Sequence, residues 1–199
     1  MRYNQAPDQP EERHEMIRKY FGTARGAARL ALSFGQVASG QAFIRRPADM
    51  AQVQRLVFVC QGNICRSAYA EVVARAAGIN AASFGLSTTT GKGAHPPAIA
   101  AARECGVDLS AHRTRRVEDY VPQPGDLLLA MEVRQLARLA AEPRLENVER
   151  SLLGLWTAPM RPHMHDPFGM DEAYMRTCLA AIDGAVKSIA AKTPCARIC

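Results

Sequence analysis

Cys60 and Arg66 enclose the loop Cys60-Gln61-Gly62-Asn63-Ile64-Cys65-Arg66-Ser67, which follows directly on the apolar run 55–59 and leads into the helix-like stretch 68–77. Strand, tight loop and helix in that order aim several backbone N–H groups inward. They also bring the positive end of a helix dipole to the same spot, so an oxyanion belongs there. A free thiol has a pKa of roughly 8.5, and amide donors, a helix N-terminus and a cation bring it to roughly 3.5 to 7.5. In such a setting Cys60 is a sulfur nucleophile at the floor of a phosphate cradle. Arg66 can offer its planar fork to two phosphoryl oxygens, a match that a lysine point charge does not reproduce. Gly62 permits the backbone twist a concave loop demands, and Ser67 at the helix start can donate its hydroxyl toward the Cys60 sulfur. Cys-x5-Arg alone is a loose pattern; its place after a strand and before a helix makes it specific.

The elements that must hold this loop read as alternating β and α. Strands are expected at 55–59, 82–86, 126–131 and 151–155, and helices at 67–77, 97–105, 133–141 and 171–191. Runs such as Leu127-Leu128-Leu129-Ala130 are too short for helices here and suit strands covered on both faces. The fold class is therefore α/β, a four-stranded parallel sheet with helices on both faces, plus an N-terminal helical extension. Ligands in such sheets bind beyond the carboxyl ends of the strands, where Cys60 falls.

Further motifs stand in order along the chain: Ser83-Phe84-Gly85-Leu86, Gly91 to Ala98 with its His-Pro-Pro, Ser110-Ala111-His112 with Arg115, Leu127 to Glu132, and Asp166-Pro167-Phe168. With the Cys60 loop they make the region from Arg55 to about Ala191 resemble the low-molecular-weight protein tyrosine phosphatases, of the bacterial type associated with exopolysaccharide production. The resemblance implies a phosphotyrosine hydrolase working through a phosphocysteine. Cys60 would be the nucleophile, Arg66 the phosphate clamp and Asp166 the general acid that protonates a phenolate leaving group, then the base that activates water. Gln61, Gly62, Asn63, Ile64 and Cys65 would line or support the phosphate loop. Ser67, Ser83 and His112 would hold its shape and tune the thiolate, and Phe168 would form an aromatic rim against the substrate ring. No metal and no cofactor are implied.

Some residues depart from the family's pattern. Phe168 stands where relatives usually carry tyrosine, Phe84 is bulkier than the expected alanine, and Gln61 replaces an apolar residue; the last two are expected to alter the rim. Cys65, five positions after Cys60, suggests a reversible disulfide that protects the nucleophile. His163 and His165 form a His-x-His beside the acid but lack the further ligands of a metal site, so they read as part of a mobile loop. Two rival functions exist. An arsenate reductase on the same fold would need resolving cysteines after the third strand, and Ala130 to Gln135 has none, while Ile64 replaces the serine typical of that branch. A non-catalytic phosphotyrosine-binding module would not need Cys60, Arg66 and Asp166 together.

At 199 residues, 48% hydrophobic and 22% charged, the chain fits one globular domain with an addition. No apolar stretch approaches the roughly 18 residues of a membrane span. A cytoplasmic enzyme is expected, because the six cysteines are scattered and two lie in a site that needs free thiols. The net charge of +6 is too small to demand nucleic acid and suits an anionic substrate. Expected divisions are a helical extension at 1–50, a catalytic domain at 51–193 and a frayed tail at 194–199 holding Cys195 and Cys199. Within the extension, helices are expected at 9–19 and 23–34 around Gly22. They would pack on the catalytic domain or, as a basic amphipathic element, dock on an anionic membrane surface or a partner. A chain beginning at Met50 is expected to keep its activity. The expected partner is a phosphotyrosine protein, such as a tyrosine kinase of polysaccharide export.

Overall fold

The structure is a computed structural model that describes residues 10–40, 47 and 49–197. Four parallel strands, β1 (Arg55–Cys60), β2 (Ala81–Gly85), β3 (Asp126–Ala130) and β4 (Glu149–Leu152), lie in the order β2-β1-β3-β4. The two inner strands are apolar after their first residues, Arg55 and Asp126, because both sheet faces are covered: Leu56 to Val59 and Leu127 to Ala130 are completely buried. The register pairs Val59 with Phe84 and with Ala130, which brings the carboxyl ends of β1, β2 and β3 level. Arg55 locks the opposite end, with Nε and Nη2 each 2.7 Å from the two Asp126 oxygens.

Helices α3 (Arg66–Ala76), α4 (Pro96–Glu104), α5 (Val133–Ala140) and α6 (Glu172–Ala190) complete the α/β layers. Pro96 and Pro97 start α4, where a missing N–H costs nothing. Asp171 caps α6 by accepting from Tyr174 N at 2.9 Å. The expected elements are thus present with ends shifted by a residue or so. The largest shift is at β4, which ends at Leu152 and passes into a 3₁₀ turn, Leu153–Trp156, so that its expected second half is not strand.

Two helices precede the sheet, α1 (Pro10–Phe21) and α2 (Ala24–Ala38), joined at Gly22 (φ +74°) and capped by Thr23, whose Oγ1 accepts from Gly26 N at 2.9 Å. Both run further than expected, and Gln9, at the start of the expected first helix, lies outside the described residues. Ile17, Phe21 and Leu30 turn partly inward while Tyr20, Leu32 and Phe34 stay exposed. The expectation of a frayed C-terminal tail is corrected for residues 194–197, the described part of it. Ala196 is fully buried, its carbonyl accepts from Asn80 N at 2.6 Å, and Arg197 bridges Ile79 antiparallel, so this segment closes on the edge beside β2. Cys199 lies outside the described residues.

Candidate active site

Cys60 ends β1, and its Sγ lies 2.9 Å from Ser67 Oγ and accepts from Asn63 N at 3.2 Å. Asn63 holds the loop through every polar atom it has. Its Nδ2 donates to Ser67 Oγ at 2.9 Å and Ser83 Oγ at 2.7 Å, and its Oδ1 accepts from Arg115 N at 2.9 Å. Its carbonyl lies 2.8 Å from His112 Nε2. Burial lowers the His112 pKa, which favours the neutral ring with its Nε2 proton on that carbonyl. Ser83 in turn donates to Glu71 Oε2 at 2.5 Å.

The twist expected of Gly62 belongs to its neighbour. Asn63 carries the positive φ, +55°, in the left-handed region that Asn tolerates better than most residues, and Gly62 is not among the positive-φ glycines. Gly85, a position sequence reasoning missed, lets the loop sit on β2: a Cβ there would stand 3.0 Å from Gly62 C and 3.1 Å from Asn63 Cβ. A glycine inside a strand signals such close approach.

Arg66 opens α3 with its side chain 1% exposed. Nη1 donates to Glu132 Oε1 and to the Met164 carbonyl, each at 2.8 Å, and Nη2 lies 2.7 Å from Asp166 Oδ2. That last approach is a charge contact without hydrogen-bond alignment, and Nε and Nη2 have no aligned acceptor among the described residues. Burial works against the cation, but Asp166, Cys60 and Glu132 raise its pKa well above the ordinary arginine value. A permanently charged fork with two N–H edges to spare suits a phosphoryl group. Glu132 is the second residue that sequence reasoning left without a role. It is fully buried, and although burial opposes ionisation, Arg66 and Arg134 hold its carboxyl below the usual range.

The other expected residues fall around this centre in different ways. Gln61 accepts from Arg138 Nη1 at 3.1 Å, and the Ile64 carbonyl accepts from His95 N at 2.8 Å. Cys65 is the residue before α3, buried, its thiol pushed up by burial and by Cys60, and both cysteines are free. Phe168 is 55% exposed, with its ring centroid 4.8 Å from that of His95, so His95 joins the rim. Phe84 does not alter the rim: it is fully buried and stacks on Tyr120 at 4.6 Å. His163 and His165 are not part of a free loop. His163 Nδ1 is 4.0 Å from Glu132 Oε2, and His165 Nε2 is 3.2 Å from Thr23 Oγ1.

A sulfur at the carboxyl end of a central parallel strand, ringed by donors and followed by a buried arginine at a helix start, defines a thiol-dependent phosphatase. The low molecular weight phosphotyrosine protein phosphatase family model matches residues 55–194, and the chain belongs to that family. It is 35% identical over 103 residues to the low molecular weight protein-tyrosine-phosphatase Wzb of Escherichia coli K12, covering 51% of this chain and 70% of Wzb. The crystal structure of the tyrosine phosphatase amsI of Erwinia amylovora matches with a TM-score of 0.62 and 25% identity, over 71% of this chain and 94% of that one. The chain is also 27% identical over 143 residues to the glutaredoxin arsenate reductase of Synechocystis, covering 70% of this chain and 98% of that protein.

Proposed function

We propose that this phosphatase hydrolyses phosphotyrosine in proteins with Cys60 as nucleophile, Arg66 as clamp and Asp166 as acid and base. The observation that carries the reading is the convergence on Arg66. It stands in the first turn after the Cys60 loop and lies 2.7 Å from the Asp166 carboxylate, so one buried cation joins loop and acid. Cys60 Sγ attacks phosphorus as the bond to the phenolic oxygen breaks, and the protonated Asp166 gives its proton to that oxygen. Water then attacks phosphorus, Asp166 takes the proton, and the S–P bond breaks to release phosphate and the thiolate. Asn63, Ser67, Ser83 and His112 keep the loop in the shape that receives the phosphoryl oxygens, and Phe168 with His95 flanks the substrate ring.

The natural substrate class is a phosphotyrosine protein in the cytoplasm, and a tyrosine kinase of polysaccharide export fits the family's bacterial type. The outward Tyr20, Leu32 and Phe34 near Lys19 and Arg25 support peripheral contact of α1 and α2 with an anionic membrane surface or a partner. Among the described residues no helix is long and apolar enough to cross a membrane.

An aryl-phosphate assay tests the reading. Cys60→Ser is expected to abolish turnover, and Asp166→Asn to lower kcat/KM by about 10²- to 10⁴-fold. Full activity in Cys60→Ser would overturn the assignment. Arsenate-dependent oxidation of glutaredoxin or thioredoxin, in place of phosphatase turnover, would establish the reductase instead.

A further inference from the structure

The junction of α1 and α2 lies on the segment that carries Asp166, and three contacts tie them. Arg161 Nη2 donates to the Tyr20 carbonyl at 2.5 Å with its guanidinium 5.6 Å from the Phe21 ring centroid. Thr23 Oγ1 lies 3.2 Å from His165 Nε2, and Arg18 Nη2 lies 3.3 Å from Asp171 Oδ2. These contacts bracket the acid on both sides along the chain. The approach is close: a Cβ on Gly26 would stand 3.0 Å from His165 Cδ2 and Cγ, and one on Gly22 would stand 2.9 Å from Tyr174 Cε1.

From the other side the same segment is pinned to the catalytic core. Met164 N donates to the Met131 carbonyl at 2.9 Å, the Met164 carbonyl accepts from Arg66, and Tyr174 Oη donates to the His165 carbonyl at 3.1 Å. His165, the residue just before the acid, is therefore held between the core and the extension. Thr23 is itself fixed, because its Oγ1 accepts from Gly26 N as the α2 cap.

We propose that the α1–α2 junction is a brace for the acid loop, and that Thr23 is a positioning residue that acts through His165 to keep Asp166 at the leaving-group oxygen. The proposal rests on the reading of Asp166 as the general acid. The matched family region begins at residue 55, so the brace is added to a strand, loop and helix that already form the phosphate cradle. Misplacing a catalytic group by about 1 Å costs on the order of 10²-fold, which is the scale on which one lost tether acts.

The test uses the full chain and kcat/KM for a series of aryl phosphates, from nitrophenyl to phenyl phosphate, because a poor leaving group needs the acid and a good one does not. Thr23→Val is expected to lose about tenfold on phenyl phosphate and less than about twofold on the most acidic phenol. Thr23→Ser, which keeps the hydroxyl, is expected to stay within about twofold across the series. Gly26→Leu, whose Cβ would clash with the Phe21 carbonyl as well as meet the His165 ring at 3.0 Å, forces the α1–α2 junction apart and should show the Val pattern more strongly. Vanadate affinity reads the Cys60 loop and is expected to be unchanged in Thr23→Val. Equal losses for all leaving groups, or no loss in Thr23→Val, overturn the brace; the Thr23 pair decides alone if Gly26→Leu does not fold. Asp166→Asn is measured alongside. If its loss does not depend on the leaving group, the acid assignment fails; if it does and Thr23→Val shows no such dependence, only the brace fails.

Discussion

At the scale of single residues the site depends on buried charge. Arg66 and Glu132 face each other with almost no exposure, and removing the Glu132 charge leaves the buried guanidinium with Asp166 as its one remaining carboxylate partner among the described residues, in a low-dielectric interior. Glu132→Gln keeps the size and an acceptor but loses the charge, and is expected to lower stability by about 3 kcal/mol in urea unfolding. The pH dependence has a definite sign. Glu132 ionises more easily folded than unfolded, so its contribution is complete above its ordinary value of 4.5 and is lost as pH falls through the lower folded value. Thermal unfolding of Glu132→Gln should therefore show a flatter acid limb than the parent protein, and an unchanged limb would remove the ion pair from the account.

At the scale of elements, strand, loop and helix fit because β2 offers a bare backbone beneath the loop. The Leu86 and Ser87 amides donate to the Cys60 and Gln61 carbonyls at 3.0 and 2.9 Å, so β2 and the loop are joined by main-chain bonds that cannot yield cheaply. Gly85→Ala would press a methyl on Gly62 and Asn63 and is expected to weaken vanadate binding about tenfold, with a stability loss of about 1 to 3 kcal/mol. At Gly62 an added Cβ meets only the Ile64 side chain, 3.3 Å away at Cγ1, which can rotate. Gly62→Ala is accordingly expected to bind vanadate within about twofold of the parent. Equal effects at the two glycines would show that the loop does not rest on β2.

At the scale of the whole molecule, the extension, the acid loop and the core meet around the buried His163 and the half-buried His165. His163 is pushed down to about 4, first by burial, with Glu132 pulling the other way. An unfolded chain takes up that proton near the ordinary value of 6.5, so stability is complete above 6.5 and falls as pH drops from there to about 4. A melting-temperature profile over this range should slope in the parent protein and slope less in His163→Gln. A parallel slope in the variant would place the proton uptake elsewhere. The same three-way meeting bears on the expectation that a chain beginning at Met50 keeps its activity: the hydrogen-bond partners described for Asn63 and Cys60 all lie from residue 60 onward, whereas the tethers on Arg161, His165 and Asp171 come from α1 and its junction with α2.

The order of elements, the Cys60 loop and the sheet were legible in the sequence because each is local. An apolar run with turn residues after it is a strand end, and cysteine, arginine and serine at fixed offsets carry their chemistry with them. Gly85 and Glu132 were visible as residues, yet their tasks depend on a packed loop and a buried guanidinium that lie far away along the chain. Asn63 shows the difference within one loop, since its polarity can be read from its type but its left-handed backbone follows from five partners supplied by four separate segments. The sequence by itself determined which groups could perform phosphoryl transfer. Only the tertiary structure decided that Thr23 touches His165 across 142 positions and that Arg197 bridges Ile79 beside β2, because such contacts arise from burying helix faces against a common core and leave no periodic trace in the chain.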